Sequence, residues 1–185
     1  MTKIIVFRHG QTNPNVKLLC QGAIINEPLN EVGVAQAEEL RDKLAQMDID
    51  LIVSSPLKRA FQTASIVAEV NGLAIEILDE LMEASMGILE GETMEYYRKQ
   101  YPDIWDARHD FNHSNYWNAK VSGMESRREI QERAGKALKI IKERYPDKVI
   151  GVATHGFFMQ NMYYHLFGKF KNDFENAEFF EFELL

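Results

Sequence analysis

The sequence predicts an α/β fold in which a mostly parallel sheet lies between two layers of helices. Three short runs, at 4–7, 51–53 and 149–153, are continuously apolar, as strands covered on both faces of a parallel sheet are. Segments with apolar residues at helical spacing separate them, and this alternation is typical of crossover connections. With 185 residues, 45% of them hydrophobic, the chain suits a single domain spanning 1–185.

The first half of the chain alternates strands and helices. Asn30 is a good N-cap for a helix, because apolar residues recur at helical spacing from Val34 to Met47. Ser54, Ser55 and Pro56 are expected to cap and open the next helix. In order, the predicted elements are a strand at 4–7, a helix from Asn30 to Met47, a strand at 51–53, a helix to about Val70 and a strand at 74–78.

The second half begins with an irregular, aromatic-rich segment, which we interpret as an inserted cap at about 92–122. Its rings are expected mainly to fill a small satellite core, with some lining the site. Ser122 with Glu125 suggests a capping box for a helix to Arg144. After it we expect a strand at 149–153, a helix from Gly156 ended by Gly168, and a half-exposed edge strand containing Phe180, Phe182 and Leu184.

Charge and cysteine content exclude several classes of protein. The formal net charge of -7 argues against a general nucleic-acid or anionic-membrane surface, since both need a dominant basic face. Cys20 is the only cysteine, so no intrachain disulfide can form and a reducing compartment fits. The sequence has neither a signal-peptide pattern nor an apolar run long enough for a membrane span. We therefore expect a soluble, cytoplasmic protein.

The main chemical signal is a pair of histidines, each at the exit of a predicted strand. His9 lies between Arg8 and Gly10 after the first strand, and His155 precedes Gly156 after the strand at 149–153. Because ligands of open parallel sheets bind beyond the carboxyl ends of the strands, both imidazoles are expected at one edge. Together with Arg8 they would form a compact cationic site for a phosphoryl group.

Four sequence blocks strengthen this hypothesis, and in order they are similar to those of the histidine phosphatase superfamily, the phosphoglycerate mutase-like family. The resemblance spans Arg8 to Gly156, and it favours the phosphatase branch. The blocks are Arg8-His9-Gly10-Gln11-Thr12 with Asn15; Ser54-Ser55-Pro56-Leu57-Lys58-Arg59-Ala60 with Gln62-Thr63-Ala64; Glu83, Gly87, Glu90 and Gly91; and Thr154-His155-Gly156.

The resemblance implies a role for each reactive residue. His9 would attack phosphorus as a neutral imidazole and give a phosphohistidine, while Arg8, Arg59 and a protonated His155 would clamp the phosphoryl oxygens. Glu83 would protonate the leaving oxygen and then activate the hydrolytic water. No cofactor or metal is implied. The phosphate-binding set would be Arg8, Asn15, Gln21, Gly22, Arg59, His155 and Gly156.

The resulting expectation is a metal-independent phosphomonoester hydrolase acting on a small phosphorylated metabolite, for example a sugar phosphate. Phosphoglycerate mutase-type transfer is one alternative, but mutases carry an Arg-x-Tyr-Gly block with a following lysine where this chain has Ala84-Ser85-Met86-Gly87. A non-catalytic phosphate- or protein-binding member of the fold is another. All five reactive positions, Arg8, His9, Arg59, Glu83 and His155, are present, which favours an enzyme.

Other phosphatase chemistries do not fit the spacing. A cysteine-based enzyme would want an arginine six positions after Cys20, where Asn26 stands. Asp48 and Asp50 precede their strand, whereas a nucleophilic aspartate would follow it. His109 and His113 with Asp110 lack a companion cluster for a metal site.

Two positions depart from the family pattern. Asn26 stands where an aspartate usually precedes a Pro-Leu pair, and Met124 stands in a block that usually reads Gly-Gly-Glu-Ser. The cap is expected to set the substrate, and the sequence does not determine the oligomeric state. Candidates for pocket-lining cap residues are Lys17, Tyr116, Lys120, Arg127 and Arg128.

Overall fold

A computed structural model describes residues 1–184 and contains a five-stranded sheet. Its strand order is β3-β2-β4-β1-β5, with β5 antiparallel to β1 and the other neighbours parallel. This confirms the mostly parallel sheet and its edge strand near the C-terminus. The strands are β1 at Thr2–Arg8, β2 at Leu51–Ser54, β3 at Ala74–Ile77, β4 at Val149–Thr154 and β5 at Phe179–Leu184.

Seven α-helices and two short 3-10 helices, at Asp79–Leu81 and Gly87–Leu89, accompany the sheet within the described chain. The helices are α1 at Asn13–Val16, α2 at Glu31–Leu44, α3 at Lys58–Glu69, α4 at Met94–Gln100, α5 at Pro102–His109, α6 at Arg127–Arg144 and α7 at Gly156–Phe167.

Helices cover both faces of the sheet, which confirms the three-layer α/β/α architecture. On one face, Ile4 and Val152 pack with apolar residues of α6 and α7. On the other, Ile5 and Phe7 pack with residues of α2 and α3, such as Leu40. Successive β1 residues thus enter opposite cores, which explains why this strand is continuously apolar.

The sequence predicted some helix ends correctly. The Asn30 side chain accepts a hydrogen bond from the Gly33 N–H at 2.8 Å, so Asn30 is the N-cap of α2. Gly168 takes the left-handed conformation that ends α7, with φ of 62°.

Two predicted helix starts are wrong. The Ser55 N–H donates to the Ala153 carbonyl and extends the β2 pairing, so α3 begins only at Lys58. The capping box of α6 is Ser126 with Glu129, four residues later than predicted. Gly123 has a left-handed φ of 73°, which a helix starting near Ser122 could not contain.

Residues 92–122, here called the cap segment, add no strand to the described sheet and contain α4 and α5. Leu89, Tyr97 and Met124 form a third apolar cluster, against which Tyr101 and Trp105 pack. Part of the aromatic content therefore fills a satellite core, as expected. Within the described residues, no helix is both long and apolar enough to cross a lipid bilayer.

Candidate active site

Strand register brings the two histidines together. β1 and β4 pair in parallel with Arg8 opposite Thr154, so His9 and His155 follow the two strands at the same level. The His9 N–H donates to the Thr154 carbonyl at 3.1 Å, and the centroids of the two imidazole rings are 5.2 Å apart. Both side chains are buried, with 2% and 0% of their surface exposed.

The hydrogen bond of His9 fixes its tautomer. Its Nδ1 lies 2.6 Å from the Gly10 carbonyl oxygen, which can only accept, so Nδ1 carries the proton and Nε2 keeps a free electron pair. Burial, and then the charges of Arg59 and Arg8, lower the pKa of His9 well below its usual value. His9 is therefore a neutral imidazole with an unprotonated Nε2 at neutral pH.

His155 is also neutral, which differs from the protonated clamp expected from the sequence. Its Nδ1 accepts a hydrogen bond from Arg59 Nε at 3.2 Å, and its Nε2 lies 2.8 Å from Ser55 Oγ. Burial, followed by the charges of Arg59, His9 and Arg8, lowers the pKa of His155 well below its usual value. Because Nδ1 accepts a hydrogen bond from the guanidinium, it cannot also carry a proton.

Two guanidinium groups lie beside the histidines. Arg59, on α3, donates from Nη1 to the Ile25 carbonyl and from Nη2 to the Gly22 carbonyl, at 2.7 and 2.9 Å. Arg8 donates from Nη1 to the Phe174 carbonyl at 2.5 Å, while its buried Nε has no hydrogen-bond partner among the described residues. Arg8 thus retains a donor for a ligand.

Gly156 makes room for Arg8. A Cβ at position 156 would lie 3.1 Å from Arg8 Nε and 3.2 Å from its Cζ. The absence of a side chain at the first position of α7 therefore lets the guanidinium pack against the helix start.

The segment that precedes β5 also holds the end of β1. Ala177 N–H and Asn176 Nδ2 donate to the His9 carbonyl at 3.3 and 3.1 Å, and Phe174 accepts from Arg8 as described. The backbone of the two motif residues is thus fixed from the C-terminal part of the chain.

Three further predicted residues lie around Thr12 and the adjoining loop. Thr12 Oγ1 lies 2.9 Å from Asn15 Oδ1 and 3.1 Å from Gln21 Oε1, so its one proton is shared between the two amides, and the amide nitrogens have no partner in the described structure. Gly22 has a left-handed φ of 55°, and a Cβ there would lie 2.2 Å from a carboxylate oxygen of Glu90. A glycine is therefore required at this position.

The Glu83 carboxylate lies at the N-terminus of α7. It accepts hydrogen bonds from the N–H groups of Phe157 and Phe158, at 3.2 and 3.0 Å, and from its neighbour Ala84 at 2.9 Å. Both carboxyl oxygens of Glu83 are thus held by backbone N–H groups, two of them from the first turn of α7.

A cavity of about 220 Å³ connects most of these groups. Eight of the nine predicted site residues line it, and His155 lies beneath it, in contact with Arg59. The full lining is Arg8, His9, Asn15, Leu19, Cys20, Gln21, Gly22, Arg59, Glu83, Ala84, Met86, Met94, Tyr97, Arg108, His109, Gly156, Phe157, Gln160 and Asp173.

The predicted set of pocket-lining cap residues is wrong. Four residues of the cap segment line the cavity, and none of them was in that set. They are Met94, Tyr97, Arg108 and His109. They belong to α4 and α5, in a segment without a recognisable motif, so only the structure could identify them. The candidates that lie outside the lining are Lys17, Tyr116, Lys120, Arg127 and Arg128.

The two residues that depart from the family pattern have structural roles outside the cavity. Asn26 Oδ1 accepts from the Lys58 N–H at 2.6 Å, at the start of α3. Met124 packs in the cluster with Leu89. Glu90, a competitor for the acid, instead accepts from the N–H groups of Ala23 and Ile24 and fixes the loop.

The residues described also give no candidate metal site. Among residues 1–184, no group of three or more His, Cys, Asp or Glu side chains is placed to hold a metal ion. His109 instead donates from Nδ1 to the Trp105 carbonyl at 2.6 Å.

Comparisons with known proteins show the family to which the chain belongs. The model of the histidine phosphatase superfamily (branch 1) matches residues 4–183. A Bacillus subtilis protein, the uncharacterized phosphatase PhoE, is 35% identical over 84% of this chain and 72% of its own, and the Arabidopsis thaliana phosphoglycerate mutase-like protein 4 is 33% identical over 87% and 69%. The native structure of a mycobacterial glucosyl-3-phosphoglycerate phosphatase superposes with a TM-score of 0.84 at 25% identity, covering 97% of this chain and 88% of that one. The chain therefore belongs to branch 1 of the histidine phosphatase superfamily.

Proposed function

We propose that this protein hydrolyses a small phosphomonoester, without a metal, through a phosphohistidine at His9. One observation carries the proposal: a neutral imidazole with an unprotonated Nε2 lies in a cavity beside two guanidinium groups, Arg8 and Arg59. Such a group is a nucleophile that is available at neutral pH, next to the charges that a phosphoryl group needs. Two of the three compared proteins are named as phosphatases, which supports the same reaction.

In the first step, the Nε2 electron pair of His9 attacks phosphorus and the ester P–O bond breaks. Glu83, entering in its protonated form, gives its proton to the leaving oxygen. The alcohol leaves, and the phosphoryl group is held on Nε2 while Nδ1–H still donates to Gly10. Anchoring Nδ1 in this way keeps the ring oriented through the step.

In the second step, the Glu83 carboxylate accepts a proton from water, whose oxygen attacks phosphorus. The P–N bond breaks, the electron pair returns to Nε2, and inorganic phosphate is released. The hydrogen bonds from Phe157 and Phe158 hold the Glu83 side chain in position for this step.

The phosphoryl oxygens are the partners we propose for the unused donors. Arg8 Nε and the amide nitrogens of Asn15 and Gln21 have no partner within the described chain and belong to cavity-lining residues. Arg59 would add charge, and His155 would act beneath it by fixing the Arg59 guanidinium through Nδ1. A phosphate dianion also offsets the two arginine charges that keep His155 neutral.

Mutase-type transfer is less well supported. The residues that replace the mutase block, Ala84 and Met86, line the cavity beside Glu83, so this wall is apolar. A bisphosphorylated intermediate would need additional cations there. Cys20 offers no alternative nucleophile, since burial raises the pKa of its thiol to about 11.

We further propose that residues 1–185 form one domain with the cap segment as its insertion, because β1 and β5, from opposite ends of the chain, pair in one sheet. A small phosphorylated metabolite is the proposed partner. The net charge of -7 supports neither nucleic acid nor anionic membrane. The single, buried Cys20 suits the reducing cytoplasm.

The test is turnover of p-nitrophenyl phosphate in excess chelator, with His9→Ala as the inactive control. We expect undiminished turnover by the native protein, and a phosphoenzyme that is trapped by a rapid quench in alkaline detergent and is stable to base but labile to acid, as a phosphohistidine is. Equal rates for the native protein and His9→Ala, or activity that requires added metal, would contradict the proposal.

A further inference from the structure

The cap side of the cavity contains two buried polar groups that nothing in the described structure satisfies. Tyr97 and Arg108 are each 2% exposed and line the cavity. The Tyr97 hydroxyl and Arg108 Nη2 have no hydrogen-bond partner among residues 1–184. Buried donors without partners are rare and costly, so their occurrence in one cavity indicates a ligand group that would satisfy both.

The charge at this end is also unbalanced. Arg108 donates from Nη1 only to the carbonyls of Ala119 and Glu125, and no ion pair of the described residues includes it. Arg127 lies on the same Phe157 ring: the Cζ atoms of Arg108 and Arg127 are 5.1 and 4.5 Å from its centroid. Burial lowers the pKa of Arg127 to about 10. Two buried cations without a paired carboxylate favour binding of an anion.

The acidic side chains near this end are engaged elsewhere. The Glu125 carboxylate pairs with Arg133 at 2.8 Å, and Glu129 pairs with Lys120 at 2.7 Å. The strongest charge partners of Arg108 are the phenols of the buried tyrosines, which are neutral near pH 7. The anion must therefore come from the ligand.

This end of the cavity adjoins the proposed general acid. Phe157, whose ring lies under Arg108, donates its N–H to Glu83. In the proposed mechanism Glu83 faces the leaving oxygen, so the organic part of the substrate extends past Glu83 toward Arg108. The unsatisfied groups are thus on the side of the leaving group.

We propose that the substrate carries a carboxylate on its leaving group, bound by Arg108 Nη2 and the Tyr97 hydroxyl. This inference rests on the proposed function and adds the substrate class. One guanidinium nitrogen and one hydroxyl match the two oxygens of a carboxylate, whereas a second phosphate would demand more donors. His109 Nε2 accepts, since Nδ1 donates to Trp105, and it suits a hydroxyl or ammonium group next to that carboxylate.

The experiment compares substrates that differ only in the carboxylate. Phosphoserine is paired with phosphoethanolamine and 3-phosphoglycerate with glycerol 3-phosphate, while p-nitrophenyl phosphate reports the basal chemistry. We expect kcat/KM to be higher for the carboxylate member of at least one pair by about 30-fold or more, because a buried polar site discriminates strongly against a ligand that leaves it unpaired.

Tyr97→Phe is the sharpest variant, because it keeps the ring that packs against Trp105 and removes only a hydroxyl without a partner. We expect the ratio of kcat/KM between the carboxylate substrate and its partner without a carboxylate to fall about 10-fold, with no loss of melting temperature. If Tyr97 had only a structural role, Tyr97→Phe would leave the preference for the carboxylate substrate unchanged.

Arg108→Gln should abolish the same preference, a loss of about 30-fold or more, since it removes the charge. Arg128→Gln is the matched control, because Arg128 is exposed in the same region and lies outside the cavity lining. If Arg108→Gln fails to fold, Tyr97→Phe alone decides.

Equal kcat/KM within both pairs, or a preference that Tyr97→Phe leaves unchanged, would overturn the inference. Failure of the proposed function gives a different result, since p-nitrophenyl phosphate would then not be hydrolysed, or would be hydrolysed equally by His9→Ala or only with added metal. Hydrolysis of p-nitrophenyl phosphate without a carboxylate preference contradicts only the substrate assignment.

Discussion

The two ends of the cavity balance positive charge in different ways. At the strand edge, here called the floor and made of Arg8, His9, Arg59, Glu83 and Gly156, the arginine charges face acidic groups, chiefly Glu83 and, around Arg8, Asp173. At the cap end, Arg108 faces phenols. The floor thus contains its own acid for proton transfer, whereas the cap end depends on the ligand for an anion.

The two ends also differ in how they are built. Strand register and backbone hydrogen bonds fix the floor, since His9 and Arg59 bind main-chain carbonyls. Side-chain packing on Phe157 fixes the cap end. Chemistry common to a family therefore resides on backbone-determined positions, and substrate choice on positions that can vary without disturbing the sheet.

Replacement of Arg59 by Gln tests the floor most severely. The variant loses the proposed clamp and the anchor of the Gly22 loop, so kcat/KM for p-nitrophenyl phosphate should fall about 1,000-fold. Arg59 also lowers the pKa of His9, so its removal should move the acid limb of the kcat/KM profile to higher pH. A full pH profile measures both effects, and an acid limb that stays in place would contradict the assigned charge coupling.

The stability of the fold should be sensitive to acid because of two histidines, His9 in the floor and His155, which contacts Arg59 of the floor. The pKa values of His9 and His155 are lowered in the folded protein, so the unfolded chain binds more protons below about pH 6.5. Stability is then complete above that pH and falls as the pH decreases, by up to about 1.4 kcal/mol per pH unit for each histidine. Urea unfolding at pH 7.5 and 5.5 measures this.

His155→Gln should reduce that slope, whereas His113→Gln, at an exposed position of the cap segment, should leave it unchanged. If the free energy of unfolding of His155→Gln depended on pH as steeply as that of the native protein, the acid sensitivity would not arise from His155.

A smaller effect is expected for Gly156→Ala. The new Cβ would displace the Arg8 guanidinium by a few tenths of an ångström, so kcat/KM should fall about 10-fold while the fold is retained. Gly135→Ala in α6 is the matched control, because its Cβ would make an equally close contact, 3.1 Å from His165 Cε1, outside the cavity lining. Equal activity of the two variants would show that Arg8 tolerates the shift.

The smallest effect is expected outside both ends, at Asn26→Asp. The carboxylate would accept the same Lys58 N–H and add a negative charge at the start of α3, raising the free energy of unfolding by about 0.5 kcal/mol. Chemical denaturation measures the change, and Asn26→Ala should instead lower stability. Destabilisation by Asp would mean that the amide group itself is needed.

Sequence patterns predicted the sheet and the floor because both depend on short-range signals. Continuous apolar runs identified β1, β2 and β4, and motif residues directly after them reach one edge through parallel register. The protonation of His155 was not predictable, since it depends on a hydrogen bond from Arg59, distant in sequence. The start of α6 was ambiguous in the sequence, because Ser122 with Glu125 and Ser126 with Glu129 have the same capping-box spacing.

The cap end could not be predicted for a related reason. Tyr97, Arg108 and His109 read as ordinary helix residues, and their inward placement arises from packing with Phe157 and Trp105. Arg128, an equally plausible candidate in the sequence, instead binds Asn118 at the surface.

The pairing of β1 with β5 has a consequence for how the protein matures. The strand that leads to His9 is made before the other four described strands, yet its neighbours are β4 and β5, the last two of them. The carbonyl of His9 is likewise held by Asn176 and Ala177. Such long-range contacts form slowly. Nascent chains in which β5 has not yet been made should consequently lack the ordered nucleophile, so activity should arise only after β5 has paired with β1.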